Sequence, residues 1–147
     1  MRKQTLRIAT ALSLFVLLAC VSAQAQSSHA QLKASIPFNF QIGQQTLPAG
    51  DYTIIFVNPD SNLHMLLIKS DDGRNAKMLQ LTAVEARQMQ DPGRLVFNRY
   101  GADYFLAQVW TPADSTGLTV RRSRAEREMQ IGGIKPQQVD VKLLAAK

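Results

Sequence analysis

Cysteine and histidine are nearly absent from this chain: Cys20 is its one cysteine, and His29 and His64 are its two histidines. A single cysteine forms no internal disulfide, so the fold is not a small cross-linked scaffold. Two histidines leave few members for a catalytic triad or a multi-histidine metal site. HExxH, GxSxG, a glycine-rich phosphate loop and a cysteine pair are all missing, which removes the usual signatures of zinc peptidases, α/β-hydrolases and P-loop proteins. Long apolar runs are scarce too. The segment 8–21 spans fourteen residues and is interrupted by Thr10, Ser13 and Cys20, shorter than the roughly 20 residues a membrane-crossing helix needs.

What is present fits one globular domain preceded by an address. The 147 residues are 46% hydrophobic, enough for a single core. Arg2, Lys3 and Arg7 precede the apolar run without an acid, and Ser22-Ala23-Gln24-Ala25 follows it. A basic start, an apolar stretch and an Ala-x-Ala ending predict a signal peptide over 1–25 with cleavage after Ala25. A second processing outcome stays open, because Leu17-Leu18-Ala19-Cys20 resembles a lipobox and would leave a lipid anchor at Cys20. Ordinary cleavage predicts an exported chain, periplasmic or extracellular, without cysteine and without a transmembrane span.

Charge follows the same division. The formal net charge is +6, and residues 1–25 contribute three basic groups and no acid, leaving 14 basic against 11 acidic groups, a net of +3. Residues 26–115 hold seven basic and eight acidic groups, whereas 116–147 hold seven and three. Only the C-terminal part is basic, so the composition does not mark the whole domain as a nucleic-acid binder.

Beyond a flexible segment at 26–34, residues 35–147 read as one β domain. Ile36, Phe38 and Phe40 alternate with polar neighbours in a first strand. A turn at Leu47-Pro48-Ala49-Gly50 leads into an apolar strand at 51–57. Asp71-Asp72-Gly73 joins strands at 63–69 and 76–84 as a hairpin, and Gly101-Ala102-Asp103 joins strands at 94–100 and 104–110. In the last of these, Phe105, Ala107 and Val109 are expected on one face, with Tyr104, Leu106, Gln108 and Trp110 on the other. Residues 85–90 read as a turn or extension, 118–120 as at most a short strand. Ser123-Arg124-Ala125-Glu126 fits a capping box for a short helix near 123–131 that stops at Gly132-Gly133. Val139, Val141 and Leu143 alternate in a last strand. The expected fold is all-β, a mainly antiparallel small sandwich or barrel of about seven or eight strands with one short C-terminal helix; the signal helix lies outside it.

Candidate sites are few. Arg99, Tyr100, Tyr104 and Trp110 form a candidate ligand-stacking surface, set against plain cross-strand packing. Arg121, Arg122, Arg124 and Arg127 form a candidate anion cluster, set against a solvated helix face that Glu126 and Glu128 partly neutralise. Asp71 and Asp72 suit a turn better than a calcium loop, and His64 reads as a polar strand position. Asp51 with Asp103 would be one carboxylate pair for acid–base work. No catalytic set, metal or cofactor is expected.

The segments Ile36-Pro37-Phe38-x-Phe40, Leu47-Pro48-Ala49-Gly50-x-Tyr52, Leu95-Val96-Phe97-x-Arg99-Tyr100-Gly101, Tyr104-Phe105-Leu106-x-x-Val109-Trp110 and Ser123-Arg124-Ala125-Glu126-Arg127-Glu128 resemble a pattern in small exported bacterial proteins of unknown function. The resemblance implies a signal peptide and a compact β domain, and it implies no activity. The expected role is a monomeric, non-catalytic binding or structural module with an envelope or extracellular partner. The alternatives are a secreted carboxylate-dependent hydrolase and a lipid-anchored form of the same domain.

Overall fold

A computed structural model describes residues 31–57, 63–112 and 114–145. The expected signal peptide, its cleavage point after Ala25, Cys20, His29 and the break at 58–62 lie outside the described residues. Eleven strands and one helix follow in the order β1 (Gln31–Ile36), β2 (Phe40–Ile42), β3 (Gln45–Leu47), β4 (Gly50–Phe56), β5 (His64–Ser70), β6 (Ala76–Gln90), β7 (Arg94–Tyr100), β8 (Asp103–Trp110), β9 (Asp114–Val120), α1 (Arg124–Ile131), β10 (Gln137–Lys142) and β11 (Leu144–Ala145).

The strands form one sheet in the order β10-β7-β8-β9-β6-β5-β4-β1-β11. Its two ends are consecutive in the chain. Residues 137–142 pair with β7, and after Leu143 the backbone crosses so that Leu144 and Ala145 pair with Lys33 and Leu32 of β1. A single C-terminal segment therefore closes the sheet into a barrel, which leaves no long unpaired edge around the ring. The short β2–β3 hairpin stands off this path and touches β8 through one parallel pairing, Gln41 opposite Phe105. All other pairings are antiparallel.

Alternation fills the interior. Leu32, Ala34 and Ile36 of β1, Tyr52 and Ile54 of β4, and Leu66 and Ile68 of β5 point inward, as do Leu95 and Phe97 of β7 and Leu118 and Val120 of β9. Phe40, Ile42 and Leu47 bring the hairpin into the same core. Phe40 sets its ring edge-on to Tyr52 at 5.2 Å and to Phe97 at 5.4 Å, geometries that favour aromatic pairs.

The all-β class, the antiparallel preference and, among the described residues, the one short helix agree with the sequence reading, but the sheet has eleven strands where seven or eight were expected. The extra strands are those whose sequence carries too little alternation to announce them. β2 and β3 have three residues each and β11 has two. β9 runs over seven residues, its first half the polar Asp114-Ser115-Thr116-Gly117, where only 118–120 was expected. β6 continues through 85–90, the extension rather than the turn of the two readings, because its far end pairs with β9. The domain also starts earlier than 35: residues 31–34, expected to be flexible, are paired with β4, with Leu32 and Ala34 buried.

The faces of β8 differ from the plain alternation as well. Val96 pairs with Gln108 but Phe97 pairs with Leu106, so Ala107 is an extra residue at a β-bulge. The bulge switches the parity of the strand. Leu106 and Val109 join the barrel core and the half-buried Tyr104 packs against it, while Phe105 and Trp110 are buried outside it.

Candidate functional site

The four residues of the expected stacking surface do not come together. Arg99 and Tyr104 are cross-strand partners, the guanidinium carbon 5.5 Å from the ring centroid, and Phe38 stacks on the same ring at 3.9 Å. Tyr100, the next residue along β7, points to the opposite face, where it is buried with its ring edge-on to Phe105 at 5.7 Å. Trp110 lies at the far end of β8, buried, its indole Nε1 donating to Gln108 Oε1 at 3.1 Å. The single surface is therefore corrected to an Arg99–Tyr104–Phe38 stack and two separate packing residues, because successive residues of a strand face opposite ways.

The arginine cluster is exposed as a whole but unequal in charge. Arg124 Nε reaches Glu128 Oε1 at 2.8 Å, and Arg122 Nε lies 3.9 Å from Glu126 Oε1. Arg121 and Arg127 have no ion pair among the described residues. Ser123 caps α1 as its sequence suggests, accepting from the Glu126 N–H at 3.1 Å. The reciprocal half of the capping box is replaced: the Glu126 carboxylate, 2% exposed, turns under the helix and accepts from Asn98 Nδ2 at 2.7 Å. Tyr100 lies beside this pair, its buried hydroxyl facing Glu126 and Gln130.

Three carboxylates line one concavity of about 220 Å³, Asp51, Asp71 and Asp72, together with Tyr52 and Ser70. Asp71 accepts from Lys33 Nζ at 2.8 Å and Thr53 Oγ1 at 2.7 Å, tying the β5–β6 turn to β1 and β4. Asp72 accepts from Ser70 Oγ at 2.5 Å and from the Arg74 N–H at 3.0 Å. The Lys33 hydrogen bond holds Asp71 below the usual carboxylate range, and the Ser70 hydrogen bond does the same for Asp72. A general acid needs its pKa raised instead, so neither carboxylate is tuned as one. Asp103 is not among the residues lining this concavity; it opens β8, across the β7–β8 hairpin from Tyr100. Among the described residues no three of His, Cys, Asp and Glu are grouped to hold a metal.

The most ligand-like feature is the open end of the barrel interior. A pocket of about 240 Å³ has Phe56, Val109 and Leu118 as its floor and His64, Thr111, Asp114 and Thr116 at its rim. Parity explains the set. Phe56 continues the inward series Tyr52–Ile54, His64 precedes Leu66–Ile68, and Asp114 and Thr116 precede Leu118–Val120, so each strand carries its inner face one step past the packed core. The side chains turn polar there because that end meets solvent. Asp114 Oδ1 accepts the Thr116 N–H at 2.8 Å and Oδ2 faces the Thr111 hydroxyl at 3.3 Å. His64, read from sequence as a polar strand position, is thus an inward-facing rim residue. Phe56, Asp114 and Thr116 were not singled out, although the period-two count from the buried residues of their own strands reaches them.

No protein family, curated protein or solved structure is matched by this chain.

Proposed function

We propose that this chain is an exported, non-catalytic binding module of the bacterial envelope or exterior. The basic, apolar, Ala-x-Ala pattern of residues 1–25 supports export, and the resemblance of the segments around residues 36–128 to small exported proteins agrees with it. The observation that carries the binding role is the barrel end itself, where a core closed around the ring leaves a pocket with an apolar floor and a polar rim. Mouths of β-barrels are a common place for small-ligand sites.

Two measurements test this reading. Mass spectrometry of the protein recovered from cells reads its N-terminus: a chain starting at Gln26 supports free export, a lipidated Cys20 supports the anchored form, and an uncleaved chain defeats export. Native mass spectrometry of the same material should show a noncovalent small molecule that Thr116→Trp, which fills the pocket rim, excludes. Turnover of carbohydrate or peptide substrates that is abolished by Asp71→Asn would replace the binding reading with the hydrolase one.

A further inference from the structure

Resting on that reading, we infer that the barrel-end pocket takes a small amphiphile with a cationic or hydrogen-bond-donating head, a single ring or short alkyl chain carrying an ammonium group. Size sets the body of the ligand. The volume of about 240 Å³ is some eight times the ≈ 30 Å³ a water molecule occupies in the liquid, and it falls just below the ≈ 300–1,000 Å³ of drug-sized sites. A ring or a few methylenes fill it; a long acyl chain or a disaccharide does not. The floor of Phe56, Val109 and Leu118 offers such a body apolar contact and no hydrogen-bonding side chain.

The rim sets the head. Among the described residues Asp114 is the one carboxylate lining the pocket, and it is oriented by the Thr116 N–H and, over a longer distance, by the Thr111 hydroxyl. Each of its oxygens has spent one acceptor position on the protein and keeps another. A carboxylate held in place at the edge of an apolar floor attracts an ammonium or a neutral N–H or O–H donor, and it repels a carboxylate or phosphate head. Among the described residues that line the pocket there is no arginine or lysine to offset it. Arg121, Arg122, Arg124 and Arg127 lie elsewhere, on α1 and its N-terminal approach.

The test uses the full mature chain at pH 8, with benzylamine, benzyl alcohol and benzoate as probes of equal body and different head. NMR chemical-shift titration should show benzylamine perturbing amides around Phe56, His64 and residues 109–118, with benzoate at least tenfold weaker. Asp114→Asn keeps an acceptor for the Thr116 N–H and should weaken benzylamine at least tenfold while leaving benzyl alcohol unchanged; Thr116→Trp should abolish both. Equal binding of benzylamine and benzoate, or an unaltered Asp114→Asn variant, overturns the assignment of the head while the binding role stands. Shifts at other residues, or none at all with any probe, overturn the pocket as a site for this class, and a different molecule retained in native mass spectrometry would then carry the binding role alone.

Discussion

Glu126 belongs to the most basic stretch of the chain, yet it is 2% exposed and hydrogen-bonded to Asn98. Its neighbour Glu128 pairs with Arg124 in water. The two acids therefore differ in weight although the sequence presents them alike. Glu126→Ala leaves the Asn98 amide buried without its acceptor and is expected to cost about 1–3 kcal/mol, whereas Glu128→Ala should stay within about 0.5 kcal/mol. Urea denaturation of the two variants checks this, and equal effects would show that Glu126 anchors nothing. The tyrosines make a second residue-scale case. Burial, and then the charge of Asp72, pushes the Tyr52 hydroxyl above its usual range; burial, and then Glu126, does so for Tyr100. A proton held more tightly in the folded chain than in the unfolded one contributes stability that is full below the ordinary value of about 10 and lost as pH rises through the folded values. Stability measured between pH 9 and 11.5 should therefore fall, and fall less steeply in Tyr100→Phe. Because Tyr52 also donates to the Pro48 carbonyl at 2.6 Å, Tyr52→Phe should in addition lose about 1 kcal/mol at neutral pH, a loss Tyr100→Phe does not share.

Among elements, β8 and β9 show how a strand pair is fixed by features that alternation does not contain. The bulge at Ala107 brings Val109 to the core and Trp110 to the outer face. There the indole lies against Gly117, its cross-strand partner, so closely that a Cβ on that glycine would stand 2.5 Å from the ring. Gly117 lies within β9, just before the 118–120 stretch that the alternation reaches, and is the space that lets the strand run beneath a tryptophan. Gly117→Ala is expected to destabilise by about 1–3 kcal/mol, the usual range for overpacking, and to shift the fluorescence of Trp110, the chain's one tryptophan. Unchanged emission and stability would mean that the indole does not pack there. The helix is the converse case: its start at Ser123 and its stop at Gly132 were legible because capping and glycine termination are local, but the side it docks against was not, since Asn98 lies 28 residues away.

For the whole molecule, closure depends on a short stretch at the C-terminal end of the described chain. Leu143 sits between β10 and β11, 2% exposed, and its N–H donates to the Gly93 carbonyl at 2.8 Å. Leu143→Ala should cost about 2–5 kcal/mol, and hydrogen exchange should quicken in both β7 and β1, which have different sequence positions but share the closing segment. Faster exchange in β7 alone would mean that β11 does not seal the ring. The sequence alone was enough for what nearest neighbours dictate: period-two runs for the longer strands, the Asp-Asp-Gly and Gly-Ala-Asp turns and the serine cap. The tertiary structure decided which residues meet. It divided Tyr100 and Trp110 from the Arg99–Tyr104 stack, drew Glu126 out of the arginine cluster, and assembled Phe56, His64, Val109, Asp114 and Thr116 at one mouth from four strands. The reason is geometric: alternation says which side of its own strand a residue takes, but only the pairing order and the closure of the sheet say which other strands look onto the same space.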